Sequence, residues 1–489
     1  MLVFAIRQCI GIANDDAFIT YRYARNLASG LGFVFNPGER ILGTTTPLYT
    51  LLLTPVGMAE EFLPFASNAI GCIGVVLQAW AISRILLRLD ANRFVAAAAA
   101  LFVMGGGIGS YWYIGLETNL LAALLLWTVE RFLAARFVAA GLLAGLATVC
   151  RFDAVLLAGL LLFEMLVHQR KTWREMLSPT LGFVGVVAPW LVFSKLYFGS
   201  LLPHSLQAKI HSVPPAVYAI GGATQMVRAQ FALVQSHSPT WMSLYARPGL
   251  VVLAGAIFVS ILLGTAIVKA WKAKQPIASA LLFPVVLLGG YVSIGPPLEH
   301  TWHLYPAALF LCLGVILGIL RLVCAWAPGR RLPIWFAWTS LAGLALIGFL
   351  YLGSFPDKYK SDSFYAPRAR ALAEMGQLVS KRVPPHEPVS AMEIGIIGYF
   401  CRNPIVDRTG IITPGLYYHN SALHTSLFES MRLRPTNYLV AGFLDLPKLK
   451  AMGRFEVLAV GHSPGYVPLY LLERTGSGTE EGAPPPLAR

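Results

Sequence analysis

The sequence has 489 residues, of which 56% are hydrophobic and only 13% are charged, and its formal net charge at pH 7 is +14. An ordinary soluble domain carries about a quarter charged residues, so this composition argues against a water-soluble protein and for lipid as the main solvent. The positive charge would also fit a nucleic-acid-binding protein, but its distribution along the chain argues against that function.

Ten apolar stretches recur along the chain, and several reach the ~20 residues that a membrane-spanning helix needs. They comprise residues 65–83, 94–104, 118–129, 137–149, 154–163, 180–193, 248–268, 278–294, 304–320 and 333–353. With the apolar start at residues 1–13, interpreted as the end of a first helix, they predict about 10–11 membrane helices. The predicted fold class is therefore mainly α, a polytopic transmembrane helical bundle.

Every second loop between these stretches is basic. The basic loops carry Arg84, Arg88 and Arg93; Arg131 and Arg136; Arg170, Lys171 and Arg174; Lys269, Lys272 and Lys274; and Arg321, Arg330 and Arg331. This alternation is the positive-inside signature of cytoplasmic loops. It predicts membrane lipids, not nucleic acid, as partners of the positive charge, and it places the alternate loops on the outer side.

The first outer loop, residues 14–64, begins with the sequence NDDAFITYRYARNLASG. Residues 17–30 favour an amphipathic helix at the membrane surface. Its apolar face, with Phe18 and Tyr21, is expected to contact lipid, and its polar face, with Arg22, Arg25 and Asn26, is expected to contact water. A second interfacial helix is predicted at 44–57, because this segment is too short and too rich in proline for a full span.

Asp15 and Asp16 need an explanation beyond helix capping. One acidic residue is enough to satisfy the free amides of a helix N-terminus, and a second adds repulsion close to a membrane. Ionisable groups in such places are functional by default. We therefore expect one of the two carboxylates to cap a helix and the other to take part in chemistry.

The remaining outer loops each bring an acid, a base or an imidazole close to a helix end. These residues are Glu117, Arg151, then His204 and Lys209 in the long outer loop 198–246, and finally Glu299, His300 and His303. Singly, each has a structural explanation, such as snorkelling of a long side chain to the interface. Together they predict an outward-facing polar cavity at the membrane boundary, suited to a lipid-linked anionic substrate.

Metal binding is an alternative role for Glu299, His300 and His303. Their spacing is short, and no strict metal-binding signature such as HExxH is present. We therefore expect no required cofactor and assign no metal site, with a divalent metal left as the alternative.

The composition changes after residue 354. Residues 364–381 favour an amphipathic helix. The segments EPVSAMEIGIIGYF, NPIVDRTG, TNYLVAGF, RFEVLAV and YVPLYLLE are typical of strands separated by turns and by a short helix at 445–452. The predicted organisation is a membrane module at 1–354, a small extracytoplasmic α/β domain at 355–474 and a disordered tail at 475–489.

Motifs along the chain resemble, in order, those of the GT-C class of bacterial membrane glycosyltransferases. Residues 14–50 resemble the first outer loop of that class, and residues 393–414 resemble the start of its outer C-terminal domain. Between them, GLET at 115–118, CRFDA at 150–154, YFGSLLPHSLQAK at 197–209 and HTWHLYP at 300–306 resemble later landmarks. Within the class, the chain is similar to the AftB-type terminal arabinofuranosyltransferases of the actinobacterial cell wall.

This resemblance implies a multi-pass protein of the bacterial inner (plasma) membrane, with its active site on the extracytoplasmic face. The implied donor is a polyprenyl-phosphate sugar, with arabinofuranose as one candidate sugar, and the implied acceptor is a glycan or lipid of the cell envelope. An essential acidic residue in the first outer loop is also implied. Here it is Asp15 or Asp16.

The chemistry of such a transfer gives roles to the other candidates. A carboxylate near the acceptor hydroxyl serves as general base, and cations that hold the phosphate offset its developing charge. The expected base is Asp16 or Asp15. The expected phosphate ligands are Arg22, Arg25, Arg151 and Lys209, and His303 and Glu299 are expected to contact sugar hydroxyls or phosphate; Glu117, His204 and His300 complete the substrate-binding set.

A non-catalytic membrane protein is the alternative, either a scaffold or a transporter of lipid-linked envelope precursors. Transporters built from repeats show internal symmetry and broken helices at mid-membrane depth. The sequence shows neither, and its acidic residues cluster at one surface. We therefore favour the enzyme.

Overall fold

The protein is described here by a computed structural model that covers residues 14–109, 115–210, 214–230, 250–296, 301–326, 365–417, 425–442, 445–451, 455–464 and 466–475. The apolar segments predicted at 1–13 and 333–353, and all but the first residue of the predicted tail at 475–489, lie outside these ranges.

The first outer loop contains two helices, α1 (Asp15–Ala28) and α2 (Pro47–Leu53). Asn14 is the N-cap of α1, and its side chain accepts a hydrogen bond from the backbone N–H of Asp16. A turn at residues 35–40 connects the two helices, and the hydroxyl of Tyr23 donates to the carbonyl of Ile41, 2.7 Å away. The prediction of a short second helix in this loop is confirmed.

The apolar stretches among the described residues form helices, because a backbone in lipid must satisfy its hydrogen bonds within its own segment. These helices are α3 (Leu63–Arg88), α4 (Arg93–Gly109), α5 (Thr118–Leu133), α6 (Phe137–Cys150), α7 (Val155–Phe163) and α8 (Trp173–Phe198), then α9 (His204–Lys209) and α10 (Pro215–Gln230) in the long outer loop, and α11 (Leu250–Lys272), α12 (Phe283–Ile294) and α13 (Tyr305–Trp326). Among the described residues, three helical segments are long and apolar enough to cross a membrane: Glu60–Arg88, Trp173–Phe198 and Tyr305–Leu322.

The helices pack around one buried apolar core contributed by α3 to α7 and α11 to α13. Helices α6 and α8 approach closely, since a Cβ on Gly141 would overlap the backbone of Pro179. Small residues commonly allow such approach between membrane helices.

The C-terminal part is a small α/β domain. Its elements are α14 (Tyr365–Arg382), β1 (Val389–Ala391), α15 (Ile394–Phe400), β2 (Ile405–Asp407), α16 (Leu427–Leu433), β3 (Tyr438–Gly442), α17 (Leu446–Ala451), β4 (Phe455–Gly461) and β5 (Leu469–Arg474). The sheet order is β2-β1-β3-β5-β4. Strand β1 pairs in parallel with β2 and β3, whereas β5 pairs antiparallel with β3 and β4. The predicted helix at 364–381, the short helix near 445–452 and the strands after residue 404 are confirmed.

Two predictions about local structure are wrong. Residues 394–400, assigned to a strand segment, form α15, because a short run of apolar residues does not by itself distinguish a strand from a buried helix. Helix α1 does not lie between lipid and water: Arg22 and Tyr21 are each 1% exposed. The C-terminal domain covers α1, and residues of both share one apolar core.

Candidate active site

Asp15 connects the first outer loop to the C-terminal domain. Its carboxylate accepts hydrogen bonds from the backbone N–H groups of Gly395, at 3.0 Å, and Ile396, at 2.7 Å. These amides lie at the N-terminus of α15, where the free N–H groups and the helix dipole favour an acceptor with negative charge. Burial raises the pKa of Asp15 to about 7, with the charge of Glu393 adding to the rise and that of Arg368 opposing it.

Arg22 and Arg25 serve the same contact. The guanidinium of Arg22 donates to the carbonyls of Phe35, at 2.9 Å, and Asn403, at 2.9 Å, and also to the carbonyl of Gly398. Arg25 donates to the carbonyl of Tyr399, at 2.8 Å, and pairs with Glu60, at 3.0 Å. Neither side chain lines the cavity described below, so their predicted role as phosphate ligands has no support in this geometry.

Asp16 faces the other side of α1, where it lines a cavity of about 340 Å³. The cavity wall combines the start of α1, the segment before α2, the turn before α5, the turn between α6 and α7, helix α9, the end of α12 and the turn before α13. Except for the end of α12, these segments come from the loops predicted to share the outer face. Their convergence confirms that these loops meet at one end of the helical bundle.

A buried ionic network forms one wall of the cavity. Arg151, in the turn between α6 and α7, donates through Nε to both carboxylate oxygens of Asp153, at 2.9 and 3.0 Å, and through Nη2 to the carbonyl of His303, at 3.0 Å. Its Nη1 reaches Glu117 at 3.4 Å. The hydroxyl of Tyr291 also donates to Asp153. Two carboxylates therefore share one guanidinium.

Burial and the neighbouring charges shift the pKa values of Glu117 and His303. Burial raises the pKa of Glu117, and the neighbouring Arg151 opposes the rise. Burial also lowers the pKa of His303 well below its ordinary range, and the positive charges of Arg151 and Lys209 add to the decrease. His303 is consequently neutral at pH 7 and presents a hydrogen-bonding imidazole instead of a cation.

Lys209 and Ser205 line the cavity from α9. Ser205 is 3% exposed, and its buried hydroxyl has no hydrogen-bond partner among the described residues. A buried hydroxyl without a partner is costly, so a ligand in the cavity that accepts or donates a hydrogen bond there would be favoured.

Sequence reasoning missed several residues that line the cavity. Thr44, Thr45 and Thr46 contribute hydroxyl groups from the segment before α2, and Thr46 contacts Thr20 at 3.3 Å between their oxygens. The run of three threonines was a usable signal. The sequence offers no comparable signal for Ser205, which lies in an ordinary polar loop, or for Tyr291, which lies in an apolar stretch.

The structure therefore brings together five of the predicted residues, Asp16, Glu117, Arg151, Lys209 and His303. His204, the first residue of α9, is absent from the cavity lining, and its backbone N–H donates to the carbonyl of Leu42, at 2.8 Å. Glu299 and His300 lie outside the described residues. Within the described part of the chain no group of three or more acidic, histidine or cysteine side chains could hold a metal ion.

Comparison with known proteins gives two sequence matches. The model of a domain of unknown function (DUF8728) matches residues 362–466. A terminal β-(1→2)-arabinofuranosyltransferase from Mycobacterium tuberculosis is 31% identical over 218 residues, which are 40% of this chain and 34% of that protein. The match thus spans about a third of the length of the curated relative.

Solved structures share the fold over nearly the whole chain. ArnT from Cupriavidus metallidurans in the apo state superposes with a TM-score of 0.58 at 12% identity, with 96% of each chain covered. The same protein bound to undecaprenyl phosphate gives a TM-score of 0.57 at 11% identity, again with 96% of each chain covered. The chain therefore has the GT-C membrane fold expected from its motifs, that of ArnT, and resembles the AftB-type arabinofuranosyltransferases in part of its sequence.

Proposed function

We propose that the protein is a membrane glycosyltransferase that moves a sugar from a polyprenyl-phosphate donor to a hydroxyl group of a cell-envelope glycan or lipid. The observation that carries the proposal is the placement of Asp16 in a cavity that Lys209 and the Arg151 network also line. A carboxylate and a cation that line one cavity suit a reaction that releases a proton and develops negative charge on a phosphate.

The proposed reaction exchanges one bond at the anomeric carbon of the sugar for another. The acceptor oxygen forms a bond to the anomeric carbon of the sugar, while the bond from that carbon to the donor phosphate oxygen breaks. The proton of the acceptor hydroxyl passes to the carboxylate of Asp16, and the leaving group is polyprenyl phosphate. A positioned general base contributes typically ~10²–10⁴-fold to the rate.

Lys209 is the proposed phosphate ligand. Arg151 is held by Asp153, Glu117 and the carbonyl of His303, so its role is to hold these groups in position. Lys209 lines the cavity, and its ammonium suits an anion as a point charge. The positive charge would offset the negative charge that builds on the leaving oxygen.

The apolar part of the cavity suits the lipid part of the donor. Leu116, Leu206 and Leu287 line it together with Ile294 and Trp302. ArnT, which has the same fold, has been solved with undecaprenyl phosphate bound. By analogy with this fold, the cavity of the present chain would take the phosphate and the first prenyl units of such a lipid.

The proposed sugar is arabinofuranose, because the curated relative is named a terminal β-(1→2)-arabinofuranosyltransferase. The proposed site faces away from the cytoplasm in the bacterial plasma membrane, because the loops that form it are those that lack the basic residues. No step in the proposed reaction requires a metal ion.

The test is sugar transfer by the purified full-length protein, with polyprenyl-phosphate-arabinofuranose as donor. Asp16→Asn is expected to lower turnover by about 10²–10⁴-fold with little change in the KM for the donor, because the amide cannot accept the proton. Lys209→Ala is expected to raise that KM. Full turnover in Asp16→Asn would contradict the general-base role.

Two controls complete this experiment. Glu175→Gln removes an exposed carboxylate in the first turn of α8 that pairs with Lys171, and it should leave turnover unchanged. A wild-type protein that binds the donor but never turns it over would instead support a scaffold. The anomeric configuration of the product then reports whether one displacement takes place or two.

A further inference from the structure

Glu130 lies at the far end of α5 from the cavity and gathers three arginines around one carboxylate. Arg88 reaches it at 2.8 Å, Arg131 at 2.5 Å and Arg84 at 3.5 Å. We call Arg84, Arg88 and Arg131 the arginine cluster. The Glu130 side chain is fully buried, whereas those of the three arginines are 45%, 31% and 20% exposed in the order of their numbers.

The charges of this group do not cancel. Three guanidinium groups and one carboxylate leave a formal charge of +2 on side chains that are open to the surroundings. Each guanidinium carries five N–H donors, and the described contacts to Glu130 use few of them. The cluster therefore has both the charge and the free donors to bind an anion.

An apolar surface continues from the cluster along α3. Ile73, Val76 and Trp80, here called the apolar stripe, are 59%, 41% and 57% exposed. Their spacing of three and four residues places them on one face of the helix, and Arg84 follows Trp80 by four residues on that face. Trp80 also contacts Trp127 edge to face, with 4.8 Å between ring centroids, and Arg131 lies 5.1 Å from the Trp127 ring.

We propose that the arginine cluster binds the phosphate headgroup of an anionic phospholipid, with an acyl chain lying along the apolar stripe. The commonplace role of arginines at helix ends is snorkelling, in which each side chain reaches the interface separately. The buried Glu130 argues for more than that, because it holds three like charges together. Guanidinium groups also match phosphate geometry through paired hydrogen bonds.

This site is separate from the cavity. Glu117 lines the cavity and precedes α5, whereas Glu130 lies 13 residues further along the same helix, roughly 20 Å at 1.5 Å per residue. Loss of lipid binding at the cluster and loss of sugar transfer at the cavity are therefore distinguishable.

The test uses the full-length protein in a non-ionic detergent, titrated with phosphatidylglycerol or with phosphatidylcholine of the same acyl chains, and bound lipid is counted by native mass spectrometry. We expect saturable binding of phosphatidylglycerol only. Arg84→Gln with Arg88→Gln should weaken it by roughly 30-fold, from about 1 kcal/mol for each cation near a membrane surface. The matched control, Arg170→Gln with Arg174→Gln, removes the same charge from another basic loop and should leave binding unchanged.

Three outcomes would overturn the proposal: equal binding of the two lipids, equal losses in both double variants, or inorganic phosphate that competes as strongly as the lipid. If the double variant fails to fold, Arg84→Gln alone is the second variant. Arg84 makes the longest contact to Glu130 and is the most exposed of the three. We expect it to weaken lipid binding by about fivefold, and unchanged binding would contradict the site.

Discussion

Asp15 and Asp16 are neighbours in the chain but have different surroundings. Successive residues on a helix point in directions about 100° apart, so one turns toward α15 and the other toward the cavity. Asp15 is 6% exposed and accepts two backbone hydrogen bonds. Asp16 lines the cavity. Asp15 meets the expectation that one carboxylate caps a helix, although the capped helix is α15 instead of α1. The expectation that the other carboxylate takes part in chemistry stays a prediction.

The pKa of Asp15 predicts how stability depends on pH. The folded protein holds this pKa at about 7, above the ordinary 3.8, mainly through burial. Folding therefore favours the protonated form, so the contribution of Asp15 is fully present below about pH 4 and is lost as pH rises through 7. We expect the stability of the wild type relative to Asp15→Asn to fall between pH 5 and pH 8, measured as the difference in thermal unfolding midpoint.

The control for this measurement is Asp90→Asn, which removes an exposed carboxylate from a loop at the far end of α3. Its midpoint should follow that of the wild type at every pH. A constant difference between wild type and Asp15→Asn across this pH range would show that Asp15 does not change protonation on folding.

At the scale of elements, α15 attaches the C-terminal domain to α1. Gly395 and Gly398 allow the approach, because a Cβ on the first would overlap the backbone of Asp15 and a Cβ on the second would lie 2.8 Å from Arg22. The arginines of α1 then donate to carbonyl groups that follow in α15 and beyond it. Arg22 and Arg25, on the charged face of α1, therefore contact the C-terminal domain.

Gly395→Ala tests this contact. The added methyl group must displace α1 or α15, and overpacking of this kind costs typically ~1–3 kcal/mol. We expect a lower unfolding midpoint and lower sugar transfer, since α1 also carries Asp16. The matched substitution Gly442→Ala in β3 meets no atom within 4 Å and should leave both quantities near wild type. Equal effects of the two substitutions would contradict the docking role.

At the scale of the whole molecule, the described basic loops and the described loops that line the cavity form two sets at opposite ends of the bundle. The cavity is formed by loops of one set, and the three arginines around Glu130 belong to the other. A helical bundle with this distribution of charge is expected to insert with its basic end in the cytoplasm.

Cysteine labelling tests this orientation. Leu31 in the first outer loop is 51% exposed, and Arg174 lies exposed in the first turn of α8, at the basic end of the bundle. In intact cells, a membrane-impermeant thiol reagent should label Leu31→Cys at once and Arg174→Cys only after the membrane is opened. The opposite pattern would place the cavity in the cytoplasm and remove the basis for a lipid-linked donor on the outer face.

The sequence alone was sufficient for the membrane architecture and for which loops share a face. Both depend on local quantities: the length and hydropathy of a segment, and the number of lysines and arginines between segments. Five of the residues that line the cavity followed from the same reasoning, because each lies in a loop at the end of an apolar stretch.

Only the tertiary structure decided which polar residues reach the cavity. Arg22 and Arg25 looked solvated from their helical pattern, but a domain more than 300 residues away in the chain buries them. The same domain contributes α15, which the sequence pattern had predicted as a strand, and it gives Asp15 its buried place. Contacts between segments so far apart leave no local pattern in the sequence. For this reason only the fold decides that Asp15 contacts α15 whereas the adjacent Asp16 lines the cavity.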